Sequence, residues 1–311
     1  SLIAALVIAW TMICTTGTQL IAFSKVLEYI FSPFGISYEQ ALIIGMAIVV
    51  LYTVMSGMYG VAYTDVVQGI ILLAVIGLIV PFAALGQIGG MDGLKANLDE
   101  SYFRFSPDIK MLGYTVTSFL YFVAGPPYWQ RAFSAKSSKA ATRGSLGGNI
   151  VIIFYTLAVI LIGMCAAVIY PNVAAGDTEM VLLMVTEKYF PTIVYALTVA
   201  SILAVIMSTT DSYLILSAQT VTTDIVAKLT GEMEQKKMVL ISRISVAAVG
   251  LFAVLYALKM SNIFQAMMLS MTQFSAGVAV PALAALFSKR VTREGMIFST
   301  VSYTHLRAHE T

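Results

Sequence analysis

The sequence predicts an all-α integral membrane protein, and three observations carry that reading. Of 311 residues, 59% are hydrophobic and only 11% are charged, and the mean hydropathy is +0.88. A soluble globular chain carries roughly 25% charged residues, so this one has too few polar groups to cover a water-facing surface. Apolar runs of about the 20 residues that a helix needs to cross the hydrocarbon core recur along the chain. Polar stretches containing Gly, Pro and Asp separate them.

Taken in order, eight runs qualify: 1–23, 39–57, 64–88, 111–130, 146–170, 190–218, 239–259 and 262–287. A ninth begins near Gly295 and is cut short, so about eight transmembrane helices plus a truncated ninth are expected. The stretches 86–113 and 174–188 read as loops. Alternating the loops between two sides puts eleven Lys and Arg on one side, among them Arg131, Arg143 and Arg243, against six on the other. The richer side is then cytoplasmic. The net charge of +2 gives no footprint for nucleic acid. Cys14 and Cys165 both lie in apolar runs and read as small buried hydrophobes, not as a disulfide framework. The chain starts at Ser1 inside an apolar run, which reads as a truncation.

Polar groups inside the bilayer are costly and mark candidate sites. The sixth run holds Val205-Ile206-Met207-Ser208-Thr209-Thr210-Asp211-Ser212, four hydroxyls and a carboxylate within two turns. Hard cations such as sodium take oxygen ligands, and hydroxyls plus a carbonyl one turn earlier could supply part of a shell. Such hydroxyls can equally bond back onto their own helix in a packed bundle. Asp65 opens the third run, where it is either an ordinary N-cap or an ion-site carboxylate. Gly125-Pro126-Pro127 interrupts the fourth run between Tyr121 and Phe122 on one side and Tyr128 and Trp129 on the other. Two prolines remove two backbone donors, so the helix must break there, and broken helices line transporter sites. Tyr128 and Trp129, next to Arg131, read as interfacial anchors. Gln273 in the eighth run is either interhelical glue or a solute contact.

Three strings in register resemble the sodium:solute symporter family: Gly57-Met58-Tyr59-Gly60-Val61-Ala62-Tyr63-Thr64-Asp65-Val66-Val67-Gln68, Gln130-Arg131-Ala132-Phe133-Ser134-Ala135-Lys136, and Met207-Ser208-Thr209-Thr210-Asp211-Ser212 followed by Thr222-Thr223-Asp224-Ile225. The resemblance covers essentially residues 1–300 and implies a partial inverted-repeat helix bundle of the leucine-transporter type, supplying the third to tenth core helices. It implies a sodium site using the Val205 carbonyl and the Ser208 and Thr209 hydroxyls, and a second sodium site near Asp65 with Asp211 as its neighbour. It also implies substrate contacts at Tyr121, Phe122, Gly125, Pro126 and Gln273. The proline-transporting branch has Trp and Tyr where Ser118 and Phe122 stand here, so no single solute follows.

The activity implied is sodium-coupled symport of a small organic solute by alternating access. The partners are the solute, sodium and the lipid bilayer of a cell membrane, with a bacterial inner membrane expected. No catalytic residue, organic cofactor or metal beyond sodium is expected. The alternative is a solute-sensing module fused to a signalling domain. Residues 301–311 break the apolar pattern and resemble a translated sequencing-adapter tail. His305 and His309 in that tail stand at the i, i+4 spacing of a metal pair, and the non-native reading is preferred to the metal one.

Overall fold

The computed structural model describes residues 2–299 except 175, 232, 261, 289, 290 and 293, and describes the backbone alone over 55–64. His305 and His309 lie outside the described residues, as do the side chains of Gly57–Thr64. Thirteen α-helices make up the described chain, with no strand among the described residues. They are α1 (Leu2–Phe31), α2 (Tyr38–Ala74), α3 (Val80–Gln87), α4 (Gly90–Asn97), α5 (Ile109–Ala124), α6 (Pro126–Phe133) and α7 (Ser138–Ile169). There follow α8 (Val181–Tyr189), α9 (Thr192–Gln219), α10 (Ala227–Thr230), α11 (Gln235–Ala257), α12 (Ile263–Phe274) and α13 (Val280–Phe287).

Six helical stretches among the described residues are long and apolar enough to cross a membrane: Leu2–Phe34, Asp65–Gln87, Ser138–Ile169, Thr192–Thr230, Gln235–Ala257 and Ile263–Phe287. Of the other two expected spans, the one over 39–57 lies within the longer helix α2, Tyr38–Ala74. The fourth run is divided at Gly125, leaving α5 with 16 residues, about 24 Å of helix at 1.5 Å per residue.

The second expected span and most of the third form one helix, α2, by backbone geometry. It packs along α9: Ala41 and Ile206 belong to one buried cluster and Val49 and Leu214 to another, Thr53 donates to Asp211, and Ser208 donates to Asp65. Because the backbone is helical through Asp65, the expected N-cap is corrected: there is no helix start for its carboxylate to cap.

The two stretches expected as loops are corrected as well. They contain α4 and α8 with the short 3-10 turns Glu100–Phe103 and Thr178–Met180. Leu94 and Val185 join Ala84, Cys165 and Ala166 in one buried cluster, so burial on the ends of α3 and α7 holds these helices. Asp99 caps the 3-10 turn. The Ser101 backbone N–H and hydroxyl hold its carboxyl below the usual range.

α1 is the central post. It packs on α2, α9, α11 and α12, with Met12, Cys14, Leu20 and Ile21 fully buried. Gly17 permits the closest approach: a Cβ there would lie 2.5 Å from the Tyr256 ring. The bundle periphery is apolar instead of polar. α7 buries only Ala158, Ile162, Cys165 and Ala166 and exposes Ile150, Ile153 and Leu157. That inversion of the soluble pattern is what a lipid-facing helix requires. Cys14 and Cys165 are buried free thiols.

Prolines shape three places differently. Pro81 and Pro281 each stand four residues after a glycine, Gly77 and Gly277. Each is preceded by a π-helical segment, Val75–Ile79 and Ser275–Ala279, in which the residue before the proline bonds five residues back. The wider turn makes room for the ring and the missing donor. Pro126-Pro127 instead breaks the helix outright.

Candidate functional site

The site grows from the break between α5 and α6. Gly125 takes an extended ψ of 127°, ending α5, and Pro126 starts α6 at the position where its missing N–H costs nothing. Pro127 leaves the Val123 carbonyl without its helical donor, and the Trp129 indole N–H supplies one at 2.8 Å. A side chain at Gly125 would press on the Tyr121 carbonyl at 2.6 Å and on the Tyr128 ring. The break thus depends on glycine, two prolines and a tryptophan together.

Breaking the helix turns α6 toward α9 and the second half of α2. Between the three lies a cavity of about 330 Å³. Asp65, Gln68 and Gly69 line it from α2, Pro127, Tyr128 and Arg131 from α6, and Val205, Ser208, Thr209, Ser212 and Tyr213 from α9. All three sodium candidates, Val205, Ser208 and Thr209, therefore face one space with Asp65. Ser208 donates its hydroxyl to Asp65 Oδ1. The other Asp65 oxygen faces the Arg131 guanidinium at 3.7 Å, and Arg131 also reaches the Ser212 hydroxyl at 3.5 Å. Gln130 ties α6 to the end of α9 through Gln219 at 3.0 Å.

Asp211 stands one turn from Ser208 but is fully buried and does not line the cavity. Its Oδ1 accepts the Thr53 hydroxyl, and its Oδ2 has no hydrogen-bond partner among the described residues. The substrate candidates form a layer behind the cavity. Tyr121 is fully buried, and its hydroxyl lies 2.9 Å from that of Tyr213, which does face the cavity. Phe122 packs edge-on against Tyr121 and tilts over Tyr128 at 5.3 Å. Gly125 and Pro126 shape the break without lining the cavity, where Pro127 takes the lining position. Gln273 is not brought to the cavity; its neighbour Phe274 packs on Tyr121, and its own side-chain oxygen has no partner among the described residues.

Seven lining residues were not among the site candidates from sequence: Gln68, Gly69, Pro127, Tyr128, Arg131, Ser212 and Tyr213. Gln68 obeys the rule that marked Gln273, a polar side chain in an apolar run, and its side-chain oxygen is likewise unpartnered among the described residues. Tyr128, expected as an interfacial anchor, instead lines the cavity. Chemically the cavity offers hydroxyl and carboxylate oxygens of the kind a hard cation takes.

The profile of the family described as "Sodium:solute symporter family" matches residues 1–302. The chain is 27% identical over 312 residues to the osmoregulated proline transporter OpuE of Bacillus subtilis (strain 168), covering 96% of this chain and 62% of that protein. It is 26% identical to a sodium/proline symporter of Staphylococcus aureus, covering 97% of this chain and 60% of that protein. The chain thus spans about three-fifths of the length of these relatives. Its fold is that of a Na+-coupled sialic acid symporter solved in a substrate-bound outward-open state, with a TM-score of 0.69 at 20% identity over 99% of this chain and 74% of that one.

Proposed function

The chain belongs to the sodium:solute symporter family, and from that premise we propose that the whole protein drives a small organic solute across a cell membrane with sodium. The observation that carries the reading is the Ser208–Asp65 contact inside a cavity also lined by Val205 and Thr209. Ser208 spends its hydroxyl across the cavity instead of on its own helix, in a place where three elements meet around oxygen ligands.

In this reading Val205, Ser208 and Thr209 supply the α9 half of the main sodium shell, with Asp65 and Asp211 serving a second sodium. Tyr121, Phe122, Gly125, Pro126 and Gln273 belong to the solute side: the first four set the shape of the break, and Gln273 brings a polar oxygen from α12. Sodium binding favours the solute-ready form, solute favours closure, and the bundle then rocks to open inward. An inward-negative potential adds about 2.3 kcal/mol per charge per 100 mV. Coupling of this kind makes and breaks no covalent bond. Residues 1–300 belong to the transporting core, and the sequence of 301–311 falls outside its apolar pattern. The bacterial relatives support placement in a bacterial cell membrane.

The test is uptake by the full-length protein reconstituted in vesicles. An inward sodium gradient is compared with an equal potassium gradient across a panel of small solutes, beginning with proline. Accumulation of a solute only with sodium supports the reading. Equal uptake under both gradients overturns the coupling, and solute binding without uptake points to the sensing module.

A further inference from the structure

We infer that Gln68 is a further sodium ligand, the amide oxygen by which α2 adds to the shell that Val205, Ser208 and Thr209 begin on α9. The inference rests on the sodium-coupled reading above and adds a residue that reading does not use. It starts from an orphaned atom. The Gln68 side-chain oxygen is buried and has no hydrogen-bond partner among the described residues, although Gln68 lines the cavity. A buried acceptor left unmade is costly, and one that persists beside a cavity marks a place for something that binds. Helical spacing sets Gln68 one turn from Asp65 on the same face of α2.

The donors around the cavity do not serve this oxygen. Ser208 donates to Asp65, and Ser212 donates to the Ser208 carbonyl. Arg131 is engaged by Asp65 and Ser212, and the Tyr213 hydroxyl pairs with that of Tyr121. The Thr209 and Tyr128 hydroxyls make no hydrogen bond among the described residues, and neither reaches Gln68. Thr209 is the telling one, because Thr198, Ser201, Thr210, Ser212 and Ser217 on the same helix all bond back to it. A back-bond from Thr209 would fall on the Val205 carbonyl, so its absence leaves that carbonyl's outward lone pair free as well. Oxygens without partners therefore face one space from α2 and from α9. A hydrogen-bond donor entering the cavity satisfies one oxygen at a time, whereas a hard cation gathers several at once. The charge fits a cargo ion. Asp65 and Arg131 are the charged lining residues and offset each other at 3.7 Å. Gln68 adds an oxygen without adding a charge, so the ion is bound and can still leave.

The experiment uses the purified full-length protein with sodium alone as the probe and potassium as the control ion. Binding of radioactive sodium is titrated, and the thermal midpoint is measured in sodium and in potassium. Q68M keeps the shape of the side chain and removes the oxygen. Half-saturating sodium is expected to rise at least about tenfold, and the extra midpoint that sodium confers is expected to disappear. The midpoint in potassium is expected to hold or rise, because an orphaned oxygen has been removed. Q68E keeps an oxygen in the same place and is expected to retain sodium binding. Sodium binding unchanged in Q68M overturns the inference. A midpoint that falls equally in sodium and in potassium also overturns it, since the amide is then interhelical glue. Should Q68M not assemble, Q68E decides: retained sodium binding supports the inference, and its loss overturns it. Absence of sodium binding by the unmutated protein overturns the sodium reading together with it.

Discussion

Helices α1 and α9 pack against each other, and both carry many hydroxyls, but they use them differently. In α1, Thr11, Thr15, Thr16, Thr18 and Ser24 each donate to the carbonyl four residues back, at 2.6 to 3.0 Å. In α9, Thr198, Ser201, Thr210, Ser212 and Ser217 do the same. Ser208 instead donates outward, to Asp65 on another helix, and Ser212 also accepts from Arg131 on α6. A hydroxyl in an apolar run is therefore no sign of a site by itself, because its own helix satisfies it. What separates the two helices is the break at Pro126-Pro127, which opens a cavity on α9, whereas α1 exposes only apolar side chains such as Leu6 and Trp10 on its outer face and lines no part of that cavity.

The sharpest test of that contrast is a pair of double variants in the full-length protein. S208A/T209A is expected to raise half-saturating sodium by at least about tenfold, equivalent to about 1.4 kcal/mol, or to abolish sodium dependence. T15A/T16A, which removes two back-bonded hydroxyls, is expected to stay within about twofold. Equal effects from the two would erase the distinction between the helices. A smaller effect is expected from D65N, which keeps the side-chain size but strips the charge from Ser208 and Arg131. A drop of roughly fivefold in sodium affinity is the expectation for a partly exposed pair, and sodium binding like that of the unmutated protein would reduce Asp65 to packing. Y121F removes the hydroxyl contact to Tyr213, worth about 1 kcal/mol net. Solute affinity should fall about fivefold with sodium affinity unchanged, and a sodium defect instead would place Tyr121 on the wrong side of the layer. The smallest change belongs to S24A, whose thermal midpoint should shift by no more than about 2 °C.

The spans were legible because apolar length alone defines them, and six of them need no tertiary context. The helices α4 and α8 were not, because Leu94, Leu183 and Val185 form them by reaching neighbours that no local pattern reveals. Ser208, Thr209 and Asp65 could be read as polar groups in apolar runs. The N-cap reading of Asp65 failed because it assumed a loop before the third span, where the backbone stays helical. Arg131 and Tyr213 could not be assigned from spacing. They reach the cavity only because the chain breaks at Gly125 and swings α6 across α9, which is a relation between helices and not within one.

The π segments before Pro81 and Pro281 have a genetic consequence. Each holds, in effect, one residue more than an α-helix of the same height, and the proline occupies the room that residue creates. Proline and extra residue are then an epistatic pair. Deleting one residue from Ser275–Ala279 drives the Pro281 ring into the carbonyl four places back, and replacing Pro281 alone leaves a bulge with nothing to accommodate. The two changes made together are expected to restore a regular helix, so each would look harmful singly and tolerable in combination. The same pairing at Gly77 and Pro81 gives the chain a second, independent copy of that constraint.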